Sequence, residues 1–120
     1  LGVALLIGAA FAVFQRLGSD ARVRETLERN LGYLSVAETD YFQRAHRYTA
    51  DIGVLRARGA APLTADPGNS VTIVQADSAG FLATASSTRL TGHYRTCGIY
   101  LGVVTSPNPA LKRPGAVSCW

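Results

Sequence analysis

Residues 14–48 read FQRLGSDARVRETLERNLGYLSVAETDYFQRAHRY, and the fold turns on this stretch. It contains no Pro. Its apolar residues Leu17, Ala21, Leu27, Leu31, Leu34, Ala37, Tyr41, Ala45 and Tyr48 are spaced mostly by three or four, with one gap at Arg24. That spacing is the stripe of an amphipathic helix. The other face carries Asp20, Arg24, Glu25, Glu28, Arg29, Asp40, Arg44 and Arg47 and is expected in solvent. Glu25–Arg29 and Asp40–Arg44 are acid-before-base pairs at i,i+4, each adding a few tenths of a kcal/mol.

Toward the N-terminus the helix runs into a different composition. Of the first 14 residues, 12 are apolar, and charge begins only at Arg16. Nothing between Leu1 and Tyr48 breaks the helical rhythm, so one helix of about 45 residues and ~68 Å is expected. That is longer than the small domain it serves. Its first half must project, and a projecting apolar half needs a membrane or other subunits to cover it. A signal-peptide reading is disfavoured, because no basic segment precedes the apolar run and no A-x-A pattern follows it cleanly. As an apolar helix, 14 residues reach only ~21 Å of a ~30 Å hydrocarbon core.

Toward the C-terminus the period changes. Residues 49–69 form a connector, with a short helical turn expected at Ile52–Leu55 and loop chemistry in Ala60-Ala61-Pro62 and Asp66-Pro67-Gly68-Asn69. Val71–Ala76 is short and β-branched, Asp77-Ser78-Ala79-Gly80 reads as a turn, and Phe81–Ser86 reads as the second arm of a hairpin. A third strand is expected over Tyr94–Val104 and a short fourth over Ala116–Cys119. The fold class is α+β, with a 3–4-stranded antiparallel sheet on the C-terminal half of the long helix. Two regions follow: a protruding helix half over 1–22, and a head over 23–120 that includes the amphipathic half.

The chain has 120 residues, enough for one domain, and 17% charge, which excludes a disordered tail. Its net charge is +4, and every basic residue but Lys112 is Arg. The arginines are scattered, so no specific nucleic-acid partner is expected. Cys97 and Cys119 are the two cysteines, and His46 and His93 stand at no zinc-like spacing from them. A disulfide and a pair of free thiols remain open. The disulfide is favoured, because the intervening loop is rich in Pro and Gly and gains roughly 2–4 kcal/mol from a cross-link. It would imply an oxidising compartment.

No catalytic constellation, cofactor motif or metal set emerges. There is no phosphate loop, no G-x-S-x-G elbow and no H-E-x-x-H. Ser35, His46 and Asp51 have no spacing that converges them, and Glu38 and Asp40 point to different helix faces. The aromatics Phe11, Phe14, Tyr33, Tyr41, Phe42 and Tyr48 read as packing residues. Thr84, Ser86, Ser87, Thr88 and Thr91 read as the polar side of a strand and loop. An enzyme is not expected.

The order of these pieces carries a resemblance. An apolar helix runs into an amphipathic one through Asn30-Leu31 and Ala37-Glu38-Thr39-Asp40-Tyr41-Phe42. Next come His46-Arg47-Tyr48-Thr49-Ala50-Asp51, Val71-Thr72-Ile73 and Gly80-Phe81-Leu82-Ala83-Thr84-Ala85. Cys97-Gly98-Ile99-Tyr100-Leu101-Gly102, Pro114-Gly115 and Cys119 complete the series. Over nearly its whole length the chain resembles a type IV pilin or pseudopilin. It departs from that family in having Leu5 where a Glu usually follows the mature N-terminus, and no acid before Asp20. The resemblance therefore implies that about six to eight residues precede Leu1, giving a membrane-spanning helix of about 20–22 apolar residues.

The resemblance implies a structural role: a subunit of an extracellular type IV pilus-like filament, held in the inner membrane before assembly. Its partners would be copies of itself. Leu1, Val3, Leu5, Leu6, Ile7, Phe11, Val13 and Phe14 would form the filament core, with Gly8 and the neighbouring alanines allowing close helix approach. Local loosening of the helix is expected at Phe14, Gln15 and Gly18. Cys97 and Cys119 would close the head. The alternatives are a minor pilin or pseudopilin of a secretion or DNA-uptake system, and a monomeric membrane-anchored periplasmic binding domain.

Overall fold

In a computed structural model, residues 2–57, 68–92, 94–105 and 107–120 are described, with side chains from Asp20 onward. The chain is α+β. Helix α1 (Gly2–Ala45) is followed by α2 (Ile52–Ala57), β1 (Asn69–Ala76), β2 (Gly80–Ser87), β3 (Thr96–Gly102) and β4 (Ser118–Cys119). The strands form one antiparallel sheet in the order β1-β2-β3-β4. Helix α1 lies mainly on β2 and β3. The molecule extends 66 Å along its long axis and 30 and 16 Å across it.

The core is the seam between α1 and one sheet face. Val23, Leu27, Leu31, Leu34 and Ala37 of the helix meet Phe81, Ala83 and Ala85 of β2 and Cys97 and Ile99 of β3. The register places Ala85 opposite Cys97, Ala83 opposite Ile99 and Phe81 opposite Leu101, so alternate residues of both strands reach the same face. Leu55 of α2 and Leu90 after β2 close the ends of this seam. The register of β1 shifts between Ile73 and Gln75, and Val74 is 58% exposed there. A bulge on an edge strand twists the edge and hinders pairing with other chains.

The expected stripe is right in period and partly wrong in phase. Leu27, Leu31, Leu34 and Ala37 are buried as expected, but Ala21 and Ala45 are exposed. Val23 and Asp20, four and seven residues before Leu27 on its face, are buried instead, although Asp20 was expected in solvent. Glu38 is completely buried. The helix also stops before Tyr48. It ends at Ala45, and His46 takes a left-handed φ of 58° while its N–H still donates to the Phe42 carbonyl at 2.8 Å. The chain then doubles back, stacking Tyr48 on Phe42 at 4.6 Å and against Phe81 at 5.1 Å. Tyr48 belongs to the head and not to the helix.

The other elements lie close to their expected places. The hairpin arms extend to Asn69–Ala76 and Gly80–Ser87, the third strand is shorter at Thr96–Gly102, and the fourth is only Ser118–Cys119. The loop chemistry expected at Ala60-Ala61-Pro62 and at Asp66-Pro67 lies outside the described residues.

Candidate functional site

Two parts of the molecule bear on the expected site residues: the N-terminal half of α1, and the head features that hold α1 to the sheet. Val3, Leu5, Leu6, Ile7, Phe11, Val13 and Phe14 all lie on the backbone of α1, within its first 13 positions from Gly2. Leu1, and the side chains of residues 2–19, lie outside the described set. The α1 backbone is helical through Phe14, Gln15 and Gly18. Among the described residues, no helix is long and apolar enough to cross a membrane.

Asp20 is where the described helix first grips the head. Its Oδ1 accepts from the Thr91 amide and from Thr91 Oγ1, both at 3.3 Å, in the loop that follows β2. Gly92 lies so close that a Cβ there would come within 2.7 Å of Asp20 Oδ2. A buried carboxylate is tolerated only with such partners, and this one ties the stalk to a loop 71 residues further along the chain. No local pattern marks it, and by spacing alone it falls on the polar face of the helix.

Cys97 and Cys119 form a disulfide with an S–S distance of 2.03 Å. They sit directly opposite one another on β3 and β4. Cys97 is buried against α1, so the bond fixes the C-terminal strand to the core. Trp120 continues the pairing: its N–H donates to the Thr96 carbonyl at 2.8 Å, and its carbonyl accepts from Arg95 and Thr96 at 2.9 and 3.1 Å. The indole covers Gly98, where a Cβ would meet Trp120 Cη2 at 2.7 Å. Further back, the Gly115 N–H donates to the Tyr100 carbonyl at 2.7 Å, strapping the Pro-rich tail to β3.

Beside β4 an open groove of about 310 Å³ runs between the sheet edge and α1. Arg24, Glu28, Tyr94, Val117, Ser118 and Cys119 line it. Its ionisable groups are one Arg, one Glu and one Tyr, and Glu28 is exposed. This set does not assemble a nucleophile with a base, or paired carboxylates.

The residues considered as a triad have separate tasks. The Ser35 carbonyl accepts from Thr39 Oγ1 at 2.8 Å, His46 is exposed at the end of α1, and Asp51 Oδ1 caps α2 by accepting from the Val54 amide at 3.3 Å. His93 lies outside the described residues. Among the described residues, no group of three or more His, Cys, Asp or Glu side chains is placed to hold a metal.

The most unusual group on the head is Glu38, whose place in the sequence shows only that it does not pair with Asp40. Its Oε1 accepts from the Thr49 amide at 2.8 Å, while Oε2 is buried without a partner among the described residues. Burial pushes its carboxyl up from 4.5 to about 7, and the Thr49 amide opposes that rise. The signal was present in outline, since position 38 follows Leu34 by four and precedes Tyr41 by three. The exposed Asp77 shows the reverse case. The Ala79 and Gly80 amides donate to its Oδ1 at 2.8 and 3.0 Å, and Gln75 donates to Oδ2, so its carboxyl is held below the usual range. This carboxylate shapes the β1–β2 turn.

Compared with models of known protein families and with curated proteins, the chain matches none of them.

Proposed function

We propose that this protein is a structural subunit of an extracellular type IV pilus-like filament, polymerising through its apolar N-terminal helix. One observation carries the reading: a 44-residue helix serves a small four-stranded head, and among the residues with described side chains its contacts with that head include Asp20 and Val23. The preceding backbone spans roughly 27 Å at 1.5 Å per residue, and its sequence is almost wholly apolar. Such a surface has to be covered.

Before assembly the inner membrane covers it. In the filament the same face is covered by neighbouring copies, so burial is exchanged and not lost. At ~25 cal/mol per Å², covering a segment this apolar is worth tens of kcal/mol gross per subunit, reduced by the cost of ordering and association. Gly8 and the small residues Ala4, Ala9, Ala10 and Ala12 favour close approach of helices. Any loosening of the helix at Phe14, Gln15 and Gly18 belongs to this assembled state. The head forms the outer surface, and its disulfide suits an extracellular location.

The test compares wild type with Leu6→Asp and Phe11→Asp after mechanical shearing of cells in the absence of detergent. Wild-type chain should sediment at high speed as filaments. Each variant should vanish from that fraction. Wild-type chain recovered only as a detergent-extracted monomer would favour a membrane-anchored binding domain instead.

A further inference from the structure

A buried carboxyl with one hydrogen bond is a conditional contact. Glu38 has no measurable exposure, its Oε1 holds the Thr49 amide, and its Oε2 has no partner among the described residues. The held segment is the one that reverses the chain at the end of α1. Thr49 is itself buried, and its Oγ1 accepts from the Asp51 amide at 3.1 Å. Asp51 then caps α2, whose Leu55 is fully buried in the core. On the other side, the Tyr48 amide donates to the Asp77 carbonyl at 2.9 Å, and its ring lies between Phe42 and Phe81. A single carboxyl oxygen thus secures the start of a chain of contacts that seats α2.

Among the described residues, the ionisable groups of the surrounding elements do not compensate a charge on Glu38. On α1, Asp40 pairs with Arg44 at 3.5 Å, and Tyr41 is half-buried. In the connector His46, Arg47 and the Asp51 residue are exposed, and Tyr48 is half-buried. Arg56 of α2 is exposed, and Asp77 of the β1–β2 turn is occupied by that turn. Burial and the Thr49 amide are the two influences on the carboxyl. A neutral acid is tolerated there, whereas an ion with one donor and no cation among the described residues is costly.

We propose that Glu38 and Thr49 form a protonation-controlled latch between the end of the stalk helix and the head. With the carboxyl protonated, the connector closes over it and α2 is seated. When the proton passes to solvent, the carboxylate gains by opening the 46–51 segment to water, and the seat of α2 loosens. The switch acts within the head and is independent of whether the chain polymerises.

The experiment is nuclear magnetic resonance on the full chain in detergent micelles, with carboxyl-labelled Glu, titrated from about pH 5.5 to about pH 8. The Glu38 carboxyl should titrate near 7, and the Thr49 amide resonance should move with the same midpoint. Amide opening over 46–55, corrected for intrinsic exchange, should rise on the order of tenfold across the range. In Glu38→Gln the Thr49 contact is kept without a proton to lose, and both responses should disappear. A Glu38 carboxyl that titrates near its ordinary 4.5, or a Thr49 amide indifferent to the titration, overturns the latch. So does a Gln variant that opens with the same midpoint. If that variant does not fold, the wild-type titration decides alone.

Discussion

At position 38 a carboxyl occupies a place on α1 that the helical repeat otherwise fills with Leu27, Leu31 and Leu34. The consequence for stability has a definite sign. The folded state holds the Glu38 proton up to about pH 7, and the unfolded chain releases it near 4.5. Between those values the folded state binds more protons, so stability is greatest below the window and falls as pH rises through it. The loss is expected to be at most about 3 kcal/mol, seen as a lower midpoint in denaturant at pH 8 than at pH 5. Glu38→Gln should flatten that dependence. Asp20 is expected to act in the opposite manner to a surface acid. Asp20→Ala leaves the Thr91 amide without its partner and should cost about 1–3 kcal/mol, measured by the same denaturation, while Glu25→Ala on the exposed face should cost under about 0.5 kcal/mol.

Among the elements, β4 depends most on a covalent tie. It is two residues long, pairs with β3 through Cys97–Cys119 and Gly98–Ser118, and is extended by the Trp120–Thr96 hydrogen bonds. Replacing both cysteines by Ser should destabilise the head by roughly 2–4 kcal/mol, with hydrogen exchange rising first at Ser118–Trp120 and then along β3. Leu31→Ala, at a fully buried site between helix and sheet, should cost about 2–5 kcal/mol without releasing β4.

The same contrast explains what the sequence made legible. The long helix, the hairpin arms and the turn at Asp77 follow from local spacing and turn chemistry, and the structure has them near their expected bounds. The phase of the stripe was less legible. Ala21 and Val23 are both compatible with a helix face, and only contact with the sheet selects Val23. Asp20 was illegible as a buried group because its partner Thr91 arrives from another part of the chain, and for Glu38 the spacing marked only the position, since its partner Thr49 comes from beyond the helix end.

For the whole molecule, the account rests on a division of labour between an apolar helix half and a head that holds itself together. The head has its own core, its own disulfide and an edge strand interrupted by a bulge, which hinders pairing along that edge. In the proposed filament the burden of association would fall on the apolar run of residues 1–14. The most direct measurement is negative-stain electron microscopy of material sheared from the cell surface, labelled with antibody against the head. The account predicts long, thin filaments decorated along their length. Label confined to membrane fragments, with no filaments under native expression, would contradict it.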